Sequence, residues 1–284
     1  MALEKDSIVN CDETWCKVRK YDHYKKCYIW VLVNKAERVV IFFYDNGSRG
    51  RDVLTDFIGD AELKSIMSDG YNAYTFIGNE LKVAETPNLS NTDHQVCLAH
   101  ARAKFVKASE LAGDKNADIF IKYIDDLYNL ERQYTKGNLT DEEREKQRQG
   151  LETKGILINL RTHLGIEKSK DPATVTPYLQ KALNYLDTFW ANIFTYIKDG
   201  SYPIDNNAAE RAVRPLTTQR NNMLHFGSDD GAKMAATYHS IISTVKLQGR
   251  SAWDYLGKFF VNIFNGCRDF FSLRPDKIGL AICQ

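Results

Sequence analysis

The sequence has no long apolar run. Its longest, Tyr28-Ile29-Trp30-Val31-Leu32-Val33, falls far short of the roughly eighteen residues of a membrane span. The first residues, Met1-Ala2-Leu3-Glu4-Lys5-Asp6, lack the apolar core of a secretory signal. No C-x-x-C pair occurs: Cys11, Cys16, Cys27, Cys97, Cys267 and Cys283 are scattered, which argues against a disulfide framework and reads most of them as buried thiols. Charge of one sign is not in excess either. Lys and Arg number 38 against 37 Asp and Glu, a formal net of +1, which excludes a wholly basic nucleic-acid binder and leaves a local basic face open. There is no internal repeat and no low-complexity segment. What is there is an ordinary globular composition, 43% hydrophobic and 26% charged, and 284 residues are enough for one large domain or two small ones. The expectation is a soluble, cytoplasmic protein with no membrane partner.

The first hundred residues read as sheet punctuated by short helices. Residues 8–18, 27–34 and 38–45 are rich in β-branched and aromatic side chains. Their short connections predict an antiparallel meander. Asn46-Gly47-Ser48-Arg49-Gly50 is a turn signal, residues 52–58 have helical spacing, and 66–70 read as a short buried strand before a helical 71–77. Residues 95–98 read as a fifth strand running into a helix from Ala99. From there to about residue 200 the periodicity is helical. The segment 140–154, dense in both charge signs, reads as a solvated helix face, and 176–197 as one amphipathic helix. A loop after Gly200 precedes helices to about residue 265, and the tail 268–284 shows no clear pattern. Three strands, helix, strand, helix, strand, then helices is the outline of an RNase H-like fold: an α/β mixed sheet flanked by helices.

Three acidic residues stand out. Asp12 lies inside the first strand beside Cys11, Asp69 ends the fourth strand before Gly70, and Glu210 opens a helix in Asp205-Asn206-Asn207-Ala208-Ala209-Glu210-Arg211-Ala212. Carboxylates in or beside hydrophobic strands are costly unless compensated. A pair of divalent cations is one compensation, and hard Mg²⁺ favours a few carboxylate oxygens plus water and phosphate. Each residue also has a plainer role open to it. Asp12 can face water at a strand edge, Asp69 can be a turn residue, and Glu210 can close a capping box from Asn207.

At this point whole segments match a known family. Cys11-Asp12-Glu13-Thr14 with Lys17-Val18, Ser68-Asp69-Gly70-Tyr71-Asn72-Ala73-Tyr74, Cys97-Leu98-Ala99-His100-Ala101-Arg102-Ala103-Lys104-Phe105, the stretch 203–215, and Gln219-Arg220-Asn221-Asn222 together resemble the catalytic domain of IS66-family transposases. The resemblance runs over roughly residues 5 to 265. It implies an RNase H-like core in residues 1–98 and 201–265, interrupted by a helical insertion over 99–200 and followed by a tail over 266–284. It further implies that Asp12, Asp69 and Glu210 are the catalytic, metal-binding DDE triad. Mg²⁺ would be the cofactor, with Mn²⁺ able to substitute, cutting a DNA strand at an element end and joining that end to a target. Asp12 would bridge two ions, Asp69 would hold one, and Glu210 the other or both. Glu13, one strand residue along, faces the opposite side.

DNA has to be held as well as cut. Arg102, Lys104, Arg211, Arg214 and Arg220 are the candidate phosphate contacts, with pairing to nearby carboxylates the alternative for Arg211 and Arg214. The spacing of His94, Cys97 and His100 resembles half of a zinc site, but no fourth ligand is evident nearby in the sequence and structural zinc is not expected. The expected partners are insertion-sequence ends, target DNA, a second copy in the active complex and accessory proteins of the element, with nucleoid association when active. Two departures remove positive charge: the family's Arg-Arg after the His reads Arg102-Ala103, and the Lys of its Arg-Lys-Asn reads Asn221. Family members also carry an N-terminal region with DNA-binding elements, whereas this chain starts almost directly at the catalytic strand, as a fragment, an expressed domain or a degenerate copy would. The competing functions are a catalytically silent DNA-binding or assembly remnant and a simple metal-dependent nuclease.

Overall fold

The computed structural model describes residues 3–78 and 87–279. Five strands, β1 (Ser7–Arg19), β2 (Tyr24–Asn34), β3 (Val39–Phe43), β4 (Leu63–Ser68) and β5 (Asp93–Val96), form one mixed sheet in the order β3-β2-β1-β4-β5, the arrangement of an RNase H-like fold. By its internal contacts the chain divides into two compact units, Met1–Ile66 with Phe76–Thr92 and Asn207–Gln284, and Met67–Thr75 with Asp93–Asn206.

In the first unit, β1, β2 and β3 are the expected meander. Asp12 stands opposite Val31, Cys16 opposite Cys27, and Val33 opposite Val40. Side chains alternate along a strand, so Asn10, Asp12, Thr14, Cys16 and Val18 share one face of β1. Cys16 and Val18 on that face pack with Ile29, Val31, Val33, Val40 and Phe42 against Ala209, Val213 and Leu216 of α8 (Asn207–Met223) and Ala232, Ala235 and Ala236 of α9 (Asp229–Leu247). Alanines on α9 let it approach closely. There Ser240 and Thr244 each accept from a β3 amide (Phe42, Val40) and donate to a β3 carbonyl. After α8 the chain returns to the sheet. Phe226 forms a parallel bridge with Val18, exchanging bonds with Lys17 O and Arg19 N. Helix α1 (Arg51–Ile58) follows β3, and α10 (Ala252–Phe264) packs on α9 around Val245 and Tyr255.

The second unit is helical apart from β5 and the end of β4. It contains α2 (Leu98–Ala112), α3 (Lys115–Lys136), α4 (Asp141–Arg148), α5 (Leu151–Ser169), α6 (Pro177–Thr188) and α7 (Trp190–Ile193). Four expectations need correction here. The fifth strand ends at Val96, and buried Cys97 caps α2 instead of extending β5. Residues 71–77 form only a 3-10 turn, Asn72–Tyr74, because the Asp69 carboxylate accepts from Tyr71 N at 2.9 Å and sets a side-chain turn in place of a helix start. The helix over 176–197 breaks at Phe189, where φ −103° and ψ 16° turn the chain while rings pair on either side, Tyr185 with Phe189 and Trp190 with Phe194.

The fourth correction concerns the charge-dense 140–154. It holds all of α4 with its Thr140 cap and the start of α5, and Arg148 within it is 2% exposed. All five guanidinium donors of Arg148 are used. Nε and Nη2 reach Glu131 at 2.7 and 2.8 Å, Nη2 also reaches Tyr202 O at 3.1 Å, and Nη1 reaches Tyr196 O at 2.8 Å and Asp199 O. A guanidinium this well satisfied is the exception that permits a buried arginine. Among the described residues no helix is long and apolar enough to cross a membrane.

Candidate active site

Asp12 and Glu210 both belong to the first unit. Asp12 is partly buried on the face of β1 that α8 covers, flanked along that face by buried Asn10 and by Thr14. Its Oδ1 accepts from Glu13 N at 2.9 Å. Glu13 points to the other face as expected, and Arg49 takes it there, with Nε and Nη2 on one carboxylate oxygen and the guanidinium over the Tyr28 ring. Glu210 lies in the first turn of α8, beside Ala209, whose side chain is fully packed into the sheet core. Arg220, ten residues further along α8, stacks on Trp15 at 4.2 Å and donates to Thr14 Oγ1 and Trp15 O at 3.0 and 2.9 Å. Ten helical residues rise about 15 Å, the length of four or five strand residues. With its last turns pinned at Thr14–Trp15 and Phe226 pinned at Val18, α8 carries its first turn, and Glu210, toward the Asn10–Asp12 end of β1.

Asp69 belongs to the second unit, immediately after β4. Three contacts fix its backbone. Ser68 Oγ donates to Asp69 O at 2.9 Å and stands 2.8 Å from His94 Nε2; Cys97 N donates to Ser68 O at 3.0 Å; Gly70 lies so close to Tyr185 and Phe189 that an added Cβ would come within 2.9 Å of their ring carbons. Because the Ser68 hydroxyl proton goes to Asp69 O, His94 Nε2 is the donor toward Ser68 Oγ, which fixes the neutral tautomer. Burial agrees, pushing the His94 pKa down to about 4. Asn192 Nδ2 donates to His94 O at 3.1 Å. This histidine therefore braces the Asp69 loop. Cys97 Sγ accepts from Asn206 N at 3.2 Å, and Leu98 N reaches Ile204 O at 3.3 Å, so the chain just ahead of α8 is tied to the start of α2. Burial, then the charge of Asp205, raises the Tyr128 phenol above its usual range.

The five candidate phosphate contacts separate into three kinds. Arg102 is engaged by Asp125 through two bonds of 2.6 and 3.0 Å, and Lys104 sits 4.5 Å over the Tyr185 ring. Arg220 ties α8 to β1 as above. Arg211 and Arg214 are exposed on α8, and neither makes an ion pair among the described residues. Sequence reasoning missed the Ser68–His94 brace and the buried Asn10. The signal for Asn10 was available, since it shares strand parity with Asp12. The signal for His94 was not, because its partner is 26 positions away.

Comparison with known proteins bears on this geometry. A family model described as "Transposase IS66 family" matches residues 1–234. Three proteins of Sinorhizobium fredii are similar to this chain. Uncharacterized protein y4jD is 28% identical over 70% of this chain and 37% of its own length. Uncharacterized protein y4qI is 28% identical over 85% of this chain and 44% of its own, and uncharacterized protein y4hP 27% over 83% and 44%. The chain thus spans less than half the length of the curated relatives it matches.

Proposed function

The chain belongs to the IS66 transposase family, and from that premise we propose that it is the catalytic part of a transposase that cleaves DNA at insertion-sequence ends and joins those ends to a target. We assign Asp12, Asp69 and Glu210 as its metal-holding carboxylates. What supports the assignment is that Asp12 lies on the β1 face packed against α8, the helix whose first turn carries Glu210, and that Asp69 directly follows β4, the strand next to β1 in the sheet order. The donor set fits a hard divalent cation, being carboxylate oxygens without thiolate. A pair of Mg²⁺ ions held there, or Mn²⁺ in their place, would activate a water or the 3′-hydroxyl of the cut DNA strand as the nucleophile and would stabilise charge on the departing oxygen.

The chain's own residues do the rest. Asp12 offers a carboxylate whose orientation is set by the Glu13 amide. The Ser68–His94 brace and the packing at Gly70 hold the Asp69 backbone against rotation, the kind of rigid support a phosphoryl-transfer site needs. Arg49 keeps Glu13 on the far face and out of the metal set. Arg211 and Arg214 hold backbone phosphates, whereas Arg102 and Lys104 must first leave Asp125 and Tyr185 to do so, which ranks them second. A second copy of the chain and accessory proteins of the element complete the active complex.

The test is Mn²⁺ calorimetry in the presence of duplex DNA on the wild type, Asp12→Asn, Asp69→Ala and Glu210→Gln, followed by a strand-transfer assay. Saturable binding lost in all three variants supports the triad; binding equal in all four proteins overturns it. Cleavage without a joined product would instead identify a nuclease.

A further inference from the structure

One cleft of the first unit shares only Arg211 with the site described above. It holds about 290 Å³ and is lined by two facing helix stripes over a sheet floor. Helix α8 contributes Ala208, Arg211, Ala212 and Pro215, and α9 contributes Ser243, Lys246 and Leu247. These are i, i+3, i+4 spacings, so each set is a single helix face. The floor is the cross-strand pair Val33 and Val40, and Lys35 stands at the end of β2. Three cations therefore surround an apolar floor with no acidic residue in the lining, and none of the three makes an ion pair among the described residues. Unpaired cations gathered around one cleft repel each other, and an anionic ligand relieves that repulsion. The apolar floor adds a second requirement, since a bare phosphate would leave it unused. A ligand that carries a flat or apolar body with its anion satisfies both.

We infer that this cleft binds one nucleotide unit of a DNA strand, its phosphate on Lys35, Arg211 and Lys246 and its base or sugar on Val33, Val40, Pro215 and Leu247. The volume is at the lower edge of the roughly 300–1,000 Å³ of ligand pockets, room for one such unit and not for a dinucleotide cofactor. The inference rests on the transposase reading for its choice of DNA over a free nucleotide. Arg211 directly follows Glu210 on α8, so a strand held here would be anchored one residue from a proposed metal-holding carboxylate. Phosphate contacts of this kind position a strand without reading its sequence, and the apolar floor accepts any base.

The experiment is fluorescence anisotropy of a labelled single-stranded 12-mer of mixed sequence, titrated with the whole chain over a range of salt concentrations. The proteins are wild type, the double variant Lys35→Ala/Lys246→Ala, and Ser243→Glu, which puts a carboxylate into the cleft and removes no cation. The expected result is binding weaker on the order of tenfold in both, with the salt slope of the double variant reduced by about 1.4, the value for two lost phosphate contacts on a single strand. All three substituted positions are solvent-accessible, and unchanged melting temperatures establish that the fold is kept. Wild-type affinity in both variants overturns the cleft and leaves the transposase reading standing, because that reading is judged by metal binding and strand transfer. Binding of deoxyadenosine monophosphate with no binding of the 12-mer overturns the DNA assignment in favour of a free nucleotide. Binding of neither overturns the cleft as a ligand site.

Discussion

The first unit keeps its charges at the faces and margins of an aliphatic sheet core, whereas the second places a guanidinium at its centre. Around Val18, Ile29, Val31 and Leu216 the packing is apolar, and the strands satisfy their own backbone groups through the ladder. The second unit has no such ladder to hold its irregular stretch after α7. Arg148 takes that role, bonding the carbonyls of Tyr196, Asp199 and Tyr202 while Glu131 neutralises it. Desolvating the guanidinium costs several kcal/mol, and only a full set of partners offsets it. One unit is thus fixed by many small apolar contributions and the other by one concentrated polar anchor, so the two should fail differently when mutated.

The largest expected effect follows from the anchor. Arg148→Ala leaves the carbonyls of Tyr196, Asp199 and Tyr202 without this donor and Glu131 with its bond to Arg144 at 3.2 Å, and should destabilise the protein by about 3–5 kcal/mol in urea denaturation. Replacing Arg148 and Glu131 together by Met and Leu should cost clearly less; an equal loss would show that the anchor acts through packing and not charge.

The next test is pH dependence. Burial pushes the His94 pKa down to about 4 from the usual imidazole value near 6.5, so the unfolded chain binds the proton more readily. The stability it confers is complete above about pH 6.5 and lost as pH falls toward 4, by about 3 kcal/mol across that window. His94→Gln should flatten the melting temperature over the same range, and an unchanged pH profile would remove His94 as the source.

Gly70→Ala presses a methyl group into Tyr185 and Phe189 and should cost about 1–3 kcal/mol. Because the same loop carries Asp69, the proposed DNA-strand cleavage should fall further than stability alone accounts for. Smallest is the capping box of α4, where Thr140 Oγ1 accepts from Glu143 N and Glu143 Oε2 accepts from Thr140 N. Thr140→Ala should lower stability by about 1 kcal/mol, and a larger loss would mean that the cap also seats Arg148.

The first unit was largely legible in the sequence because period-2 patterning and short turns are local signals. Alternation in β1 correctly put Glu13 on the face opposite Asp12. In the second unit local signals misled. Arg148 sits among Glu142, Glu143, Arg144, Glu145 and Lys146, and composition alone assigns all of them to solvent. What buries it is Glu131 on α3 and carbonyls near residue 200, partners that no window along the chain contains. The helical pattern of 71–77 failed for the converse reason, since one side-chain bond from Asp69 outweighed it. Asp12, Asp69 and Glu210 were each ambiguous alone and were picked out by their order on the elements together with the family resemblance.

The first unit is assembled from three separate stretches of chain, and this shapes its birth as well as its stability. The face of the meander that α8 and α9 cover emerges with β1 and β2, but its cover is encoded about 170 residues later, a delay of roughly ten to thirty seconds at ordinary rates of synthesis. Through that interval Val18, Ile29 and Val31 present a wet apolar surface while the second unit, which ends at Asn206, is still being made. Nascent chains should therefore need a holding chaperone during this window, and an early stop before α8 should yield an aggregating product even though every strand of the meander has been made.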